Sequence, residues 1–169
     1  MRIGFYAPVY SASHLFLLTE YYVLKDETMP VDINIIKSLN FFKDFSHADL
    51  EEIAPLIDQI RTTEGERITC RGCHADTFFI IFSGNFMISF KHDRSYTLHD
   101  RGDIMGLSTL IMPFAYTGTA VALTEGAVLS MPGEELLRII QSNSELGEKI
   151  MKKINEIVEK RMPFVTGRC

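Results

Sequence analysis

Short apolar stretches separated by turn residues occupy the middle of the sequence, and they restrict the fold more than any other feature. Between residues 61 and 131 no apolar run is long enough for a core helix. Short strands at this spacing are typical of an antiparallel jelly roll or barrel, not of alternating strands and helices. The predicted strands are residues 67–69, 77–82, 86–90, 96–99, 119–123 and 127–131, separated by polar runs and by Gly65, Gly72, Gly84, Gly102 and Gly126.

Helical periodicity precedes this region. Asp49 stands three residues after Ser46, which is the spacing of a capping box at a helix N-terminus. Apolar residues then recur at helical spacing from Leu50 to Ile57. The sequence therefore predicts a helix that begins after Ser46 and buries one apolar stripe.

Helical periodicity returns at the C-terminal end. Residues 134–141 predict a short helix, and a longer helix opens at Ser142, with Glu145 at capping-box spacing. A narrow apolar stripe on this last helix is typical of a helix–helix contact, which predicts a homodimer. Packing of the stripe on the protein's own barrel is the alternative, and both interpretations remain open here. The stripe consists of Leu146, Ile150, Ile154 and Ile157.

The composition is that of a chain that can fold without covalent or metal cross-links. With 169 residues, 46% of them apolar, it can bury about two thirds of its unfolded surface. Seventeen basic against 22 acidic side chains give a net charge of −5, which disfavours a non-specific nucleic-acid binder. Three cysteines are an odd number, which favours a reducing compartment, so we expect a cytoplasmic protein.

The N-terminal part of the chain differs from the rest. A proline, a histidine and a glutamate interrupt the aromatic, apolar stretch at residues 3–24, which is therefore a poor membrane span and an unconvincing signal peptide. Residues 25–32 are polar and predict a linker. We expect an N-terminal segment with its linker at residues 1–32, a β-roll with a C-terminal dimerisation helix at residues 33–169, and no membrane association.

The order of these parts resembles the cyclic nucleotide-binding domain of the Crp–Fnr regulators over residues 35–161. A Gly-Asp-x-x-Gly segment is the central motif, with Met105 in place of the usual Phe. The resemblance implies a β-roll closed by C-terminal helices, with a regulatory and not an enzymatic role. The matching residues are Phe42, Phe45, Leu50, Gly72, Asp76, Phe79, Ile81, Gly84, Gly102, Asp103, Gly106, Ala122 and Leu129.

The resemblance also places a ligand site after Gly106. In the family, backbone N–H groups after this glycine bind a cyclic phosphate, a Glu beside it binds the ribose, and an Arg about ten residues later pairs with the phosphate. Leu107 stands at the Glu position and Tyr116 at the Arg position. Losing two charge-assisted hydrogen bonds weakens binding by about 3 to 6 kcal/mol, or about two to four decades in affinity. The sequence predicts a degenerate phosphate cassette that binds cyclic nucleotides poorly.

Neutral groups and one cation remain as candidate ligand contacts. Met105, Leu107, Ile111 and Met112 make the surroundings apolar. The resemblance places Arg161 near the residue that caps the ligand from the last helix, where it replaces the missing cation; an exposed helix-end arginine is the alternative. The candidate ligand-binding residues are Gly106, Leu107, Ser108, Thr109, Tyr116, Thr117 and Arg161.

A Cys-x-x-Cys-His sequence at Cys70, Cys73 and His74 supports a competing interpretation. This is the attachment motif of c-type haem, and with His92 or His99 it would also suit zinc. An ordinary surface turn with two thiols, or a redox-sensitive pair of thiols, are the other interpretations.

No catalytic motif is evident, so we expect no enzyme. Crp–Fnr regulators continue into a helix-turn-helix domain, whereas this sequence ends eight residues after Arg161. We therefore expect a regulatory or sensory module that acts through a protein partner and not on DNA directly, or else a truncated reading frame. A haem or metal sensor and a ligand-free structural dimerisation module are the alternatives.

Overall fold

A computed structural model describes residues 29–166, which form two antiparallel sheets flanked by helices. The larger sheet has the strand order β1-β2-β8-β3-β6 and the smaller one β5-β4-β7. This confirms the predicted antiparallel β-roll. The strands are β1 (Met29–Pro30), β2 (Asp58–Thr62), β3 (Thr77–Ser83), β4 (Phe86–Ser89), β5 (Ser95–Leu98), β6 (Ile104–Met105), β7 (Thr119–Ala122) and β8 (Gly126–Pro132).

Within residues 29–166, four α-helices and three short 3-10 helices accompany the sheets. The α-helices are α1 (Ile33–Lys37), α2 (His47–Ile53), α3 (Gly133–Ser142) and α4 (Ser144–Thr166), and the 3-10 helices are Asn40–Phe42, Ala54–Leu56 and Leu107–Thr109. No helix among residues 29–166 is long and apolar enough to cross a membrane. The predicted N-terminal segment lies outside the described residues except for its end, where Met29 and Pro30 pair with β2.

The capping box of α2 is confirmed. The Asp49 N–H donates to Ser46 Oγ at 3.2 Å, and the Ser46 N–H donates to Asp49 Oδ2 at 2.8 Å. Two backbone N–H groups at the start of α2 are thereby satisfied by side chains, as the sequence pattern indicates.

The predicted strands omit β1, β2 and β6, and they include one segment that forms no strand. β2 pairs along its whole length with β8, although the sequence suggested a helix up to Ile57 and no strand after it. The sequence pattern did not indicate a strand here because β2 is mostly polar and its one large apolar residue, Ile60, is exposed. Residues 67–69 form no strand; only Arg67 makes an isolated bridge, to Val121.

The predicted start of the last helix is also wrong. Ser142 ends α3, and its hydroxyl donates to the Ile139 carbonyl at 3.3 Å. Asn143 adopts an extended conformation between the two helices, and its Oδ1 accepts from the Leu146 N–H at 3.2 Å. The break between α3 and α4 therefore falls at Asn143, whose side chain caps α4 in place of Ser142.

The N-terminal half of α4 packs on the protein's own core. Leu146, Ile150 and Ile154 are fully buried in the same cluster as Phe42 and Phe78. Ile157, the fourth stripe residue, is partly buried against the same cluster, so the whole stripe packs within the chain, as the alternative interpretation expected. The homodimer stays a prediction, without support from this stripe.

Ion pairs fix the same half of α4. Lys149 Nζ lies 2.9 Å from Asp49 Oδ2, and Lys153 Nζ pairs with Asp44 Oδ2. The Lys153 ammonium lowers the pKa of Asp44, first through its hydrogen bond and then through its charge. The α2 region and α4 therefore form one anchored unit.

Candidate functional site

A cavity of about 220 Å³ lies between the β-roll and the C-terminal half of α4. The roll contributes Ile88 from β4 and Phe90, the residue after this strand, together with the segment that follows β6. Apolar side chains predominate in the walls, as expected around Leu107. The other lining residues are Thr69, Met105, Gly106, Ser108, Ile111, Met112, Pro113, Ala115, Tyr116, Thr117, Gly118, Ala120, Val158, Arg161, Met162 and Val165.

The turn at Gly106 positions one wall. Its φ of 79° is left-handed, and a Cβ there would lie 2.6 Å from the Thr77 carbonyl oxygen, so only glycine fits without strain. The Thr109 N–H and hydroxyl both bond to the Gly106 carbonyl, at 3.0 and 2.9 Å. Within residues 29–166, the N–H groups of Leu107 and Ser108 donate to no other residue. Of the predicted donors on this turn, the Ser108 N–H therefore has no acceptor among the described residues, whereas the N–H and hydroxyl of Thr109 are both bonded to the Gly106 carbonyl.

Tyr116 contributes its ring to the cavity wall, but its hydroxyl is engaged elsewhere. The hydroxyl accepts from the Thr77 N–H at 3.1 Å and donates to the Thr77 carbonyl at 2.9 Å. Burial raises the pKa of Tyr116, and the nearby Asp76 carboxylate adds to the rise, so the phenol stays neutral. Tyr116 holds the start of β3 in place instead of presenting a free donor to the cavity.

Arg161 is buried at the cavity and not exposed at a helix end. Its side chain is only 7% exposed, its Nη1 donates to the Ile104 carbonyl, and its guanidinium lies 5.5 Å from the centre of the Tyr96 ring. Burial lowers the pKa of Arg161, while the Asp103 charge and Tyr96 partly offset this effect. No carboxylate of the described residues forms an ion pair with it. The interpretation as an exposed helix-end arginine is therefore wrong.

The rest of the C-terminal half of α4 covers the cavity with apolar groups. Val158, Met162 and Val165 line the cavity, and the Phe164 ring packs edge-on against Tyr96 with centroids 4.9 Å apart. Among the residues of this half of α4, sequence reasoning named only Arg161 as a site residue, because it traced the apolar stripe only from Leu146 to Ile157. The available signal was a second apolar row near the helix end.

The two thiols lie on a turn beside the cavity wall. Gly72 has a φ of 85°, and the Cys73 N–H donates to the Cys70 carbonyl at 3.0 Å, which closes the turn. The Gly72 N–H donates to the Tyr116 carbonyl at 2.8 Å, so the turn is bonded directly to the wall. The Cys70 thiol raises the pKa of Cys73. Across residues 29–166, no group of three or more His, Cys, Asp and Glu side chains is arranged to hold a metal ion.

The sequence matches the profile of a known protein family over the β-roll and α3. The profile of the family described as "Cyclic nucleotide-binding domain" matches residues 59–143, half of the chain. No curated protein matches the sequence.

Solved structures share the fold. One from Geobacter metallireducens, provisionally assigned as a cyclic nucleotide-binding protein, is 22% identical with a TM-score of 0.71, covering 78% of this chain and 98% of its own. The sensor domain of the transcriptional regulator DNR from Pseudomonas aeruginosa is 19% identical with a TM-score of 0.63, covering 78% and 96%. The c-di-GMP responsive global regulator CLP from Xanthomonas campestris is 19% identical with a TM-score of 0.58, covering 72% and 61%.

Proposed function

The chain belongs to the cyclic nucleotide-binding domain family, and we propose that it is a non-enzymatic regulatory module that senses a small ligand between its β-roll and α4. The observation that carries the proposal is the cavity closed by α4, with the buried Arg161 in its wall. Cavities of this kind, with few polar groups and mainly apolar walls, are typical of small-molecule sites. The structural relatives named as a sensor domain and a ligand-responsive regulator are consistent with this role.

The ligand differs from the usual one of the family in this proposal. Leu107 and the engaged hydroxyl of Tyr116 offer neither the carboxylate nor the cation that the family directs at a cyclic nucleotide. Ser108, whose N–H donates to no residue from 29 to 166, is the remaining polar contact on the Gly106 turn, and Thr117 also lines the cavity. We expect cyclic nucleotides to bind weakly, and a less polar ligand to be preferred.

The signal would pass through the C-terminal half of α4. Its N-terminal half is anchored by three fully buried residues and two ion pairs, whereas the other half contacts the roll around the cavity. Pro163 has no N–H for the Glu159 carbonyl, which weakens the helix at this point. A ligand that binds more tightly to one position of this half shifts its population toward that position.

The output in this proposal is a protein contact. A displaced helix end changes the surface that contains Met162 and Phe164, both of which are partly exposed. We propose that a protein partner or a second copy of the chain recognises that surface in the cytoplasm, and that the module does not contact DNA itself. For the metal alternative at Cys70, Cys73 and His74, no group of three or more His, Cys, Asp and Glu side chains among the described residues is arranged to hold a metal ion. The haem alternative stays a prediction.

Calorimetric titration with cyclic AMP and cyclic GMP tests whether the cavity retains the geometry of a ligand site. The variants are Leu107→Glu, which leaves the Tyr116 bridge intact, and the double variant Leu107→Glu with Tyr116→Arg. Leu123→Glu is the control, because Leu123 is 38% exposed and lies outside the cavity lining.

We expect little binding to the unaltered chain and to Leu123→Glu, and at least a tenfold gain with the carboxylate at position 107. The double variant should gain further, because each charge-assisted bond contributes about 1.5 to 3 kcal/mol. Hydrogen exchange of residues 157–166 should change on binding. If the variants remain folded and bind no better than Leu123→Glu, the cavity is not a ligand site of this geometry.

A further inference from the structure

Arg161 is a buried cation without a counter-charge in ion-pair range among the described residues. Its surroundings indicate what kind of ligand group would supply that charge. One hydrogen bond to the Ile104 carbonyl and the face of the Tyr96 ring are its close contacts. Neither supplies a negative charge, and the Asp103 carboxylate acts on the guanidinium only from beyond ion-pair range. A buried, unpaired charge destabilises the folded state unless an opposite charge joins it.

We infer that the ligand of this cavity is a small monoanion with an apolar body, of the class of medium-chain carboxylates, and that Arg161 binds its anionic head. The inference rests on the proposed function, because it assigns the ligand class of the same cavity. A guanidinium presents a rigid fork of N–H donors that matches the two oxygens of a carboxylate. Because Arg161 is already desolvated in the described structure, an arriving anion gains its attraction without first displacing water from the cation.

The walls of the cavity select the apolar body. Val158, Met162 and Val165 from α4 face Ile88 and Phe90 from the roll. The hydroxyl of Tyr116 is bonded to Thr77, so the ring and not the phenol is available to a ligand. A sugar in this space would leave several hydroxyls without partners, which is unfavourable in an apolar site.

The exposed part of the cavity lining is apolar as well. Ile111 and Met112 belong to the lining and are exposed, at 41% and 79%. They offer apolar surface to the end of a chain whose anionic head lies at Arg161, so an eight-carbon carboxylate is a suitable probe of this ligand class.

Octanoate and octan-1-ol are the probes, because they share the apolar chain and differ in charge. Calorimetry measures both against the unaltered chain, Arg161→Met, Arg161→Lys and the control Lys160→Met, which removes a charge from the adjacent, exposed position of α4. We expect octanoate to bind the unaltered chain at least tenfold more tightly than octan-1-ol. Arg161→Met should lose at least tenfold in octanoate affinity with no loss for octan-1-ol, Arg161→Lys should bind octanoate better than Arg161→Met does, and Lys160→Met should bind like the unaltered chain.

Equal binding of the two probes to the unaltered chain, or tighter binding of octan-1-ol, would overturn the assignment of an anion and leave the cavity as a ligand site. An undiminished affinity of folded Arg161→Met for octanoate would overturn the role of Arg161. If neither probe binds, the inferred ligand class is wrong; the proposed function fails as well only if the carboxylate variants at position 107 also bind no cyclic nucleotide. Should Arg161→Met not fold, the comparison of probes on the unaltered chain and on Arg161→Lys decides the question.

Discussion

Tyr116 shows how one side chain can exchange a ligand contact for a structural one. In the cyclic nucleotide-binding domain family its position belongs to an arginine that pairs with phosphate, whereas here the phenol bonds both backbone groups of Thr77. Thr77 precedes the two residues of β3 that pair with β6, Phe79 and Ile80, so β6 does not extend far enough to bond it. The Tyr116 hydroxyl therefore supplies a donor that the strand register cannot.

Tyr116→Phe should lower the free energy of unfolding by about 1 to 3 kcal/mol, because it leaves the half-buried backbone groups of Thr77 without their partner. Urea unfolding followed by circular dichroism measures the change. Tyr96→Phe is the matched control, since the Tyr96 hydroxyl makes no hydrogen bond to any residue from 29 to 166, and its loss should change stability by less than about 0.5 kcal/mol. Equal effects of the two substitutions would contradict the structural role of the Tyr116 hydroxyl.

At the scale of secondary structure elements, α4 combines an anchored half with a half that covers the cavity. α3 and α4 approach each other closely at the corner between them, and this contact sets the direction of α4 relative to α3. Gly147 permits that approach, because a Cβ there would lie 2.4 Å from the Ile140 carbonyl oxygen. The element therefore depends on a small residue at a position where helix propensity alone would favour alanine.

Gly147→Ala should destabilise the protein by about 1 to 3 kcal/mol, although alanine is a better helix former than glycine by about 1 kcal/mol. The added methyl group forces α3 and α4 apart at the corner. Thermal unfolding measures the loss, with Glu148→Ala at the neighbouring exposed position as the control for propensity. An increase in stability for Gly147→Ala would show that the two helices do not approach as closely as described.

The anchor between α2 and α4 should also depend on pH. Burial raises the pKa of Asp49, but the Lys149 ammonium and the two Ser46 bonds outweigh it and hold the pKa below its usual value. A lowered carboxyl pKa stabilises the fold above the unfolded value, about 3.9, and this stabilisation is lost as pH falls through the folded pKa. Asp49→Asn should therefore be less stable than the unaltered chain by about 1 kcal/mol at pH 7.

That difference should shrink below about pH 4, where the unaltered chain also loses its charge at Asp49. Urea unfolding at several pH values between 7 and 3 measures it. A difference that stays constant over this range would mean that the Asp49 charge does not contribute to the anchor.

At the scale of the whole molecule, stability is distributed unevenly around the cavity. β8 lies between β2 and β3 in the larger sheet, and the N-terminal half of α4 is buried against the same core. The C-terminal half of α4 has partly exposed residues, including Met162 and Phe164, and contains Pro163. Local opening is expected where buried apolar contacts are fewest.

Amide hydrogen exchange should reveal this difference between the two halves of α4. We expect residues 157–166 to exchange at least tenfold faster than residues 146–154, whose rates should approach those of β8, because opening the second half exposes less core. Mass spectrometry of peptides from both halves measures the rates in the full-length chain. Uniform protection along α4 would contradict the proposed movement of its C-terminal half.

The sequence alone determined the class of fold and several local features. Glycines at tight turns, short apolar runs and the Ser46 capping box act through near neighbours in the chain, so their outcome can be read without knowing what packs where. The loss of the charged groups at Leu107 and Tyr116 could be read in the same way. The polar strand β2 could not, because its place in the sheet depends on its pairing with β8.

Only the tertiary structure decided what α4 contacts. The stripe from Leu146 was equally compatible with a second chain and with the protein's own core. The structure packs all four of its residues on that core, three of them fully buried. For Arg161 the sequence left open a ligand contact and an exposed helix-end cation, and the structure buries it beside Ile104 and Tyr96. Burial depends on which distant surfaces meet, and residues far apart in sequence carry no local pattern that records their meeting.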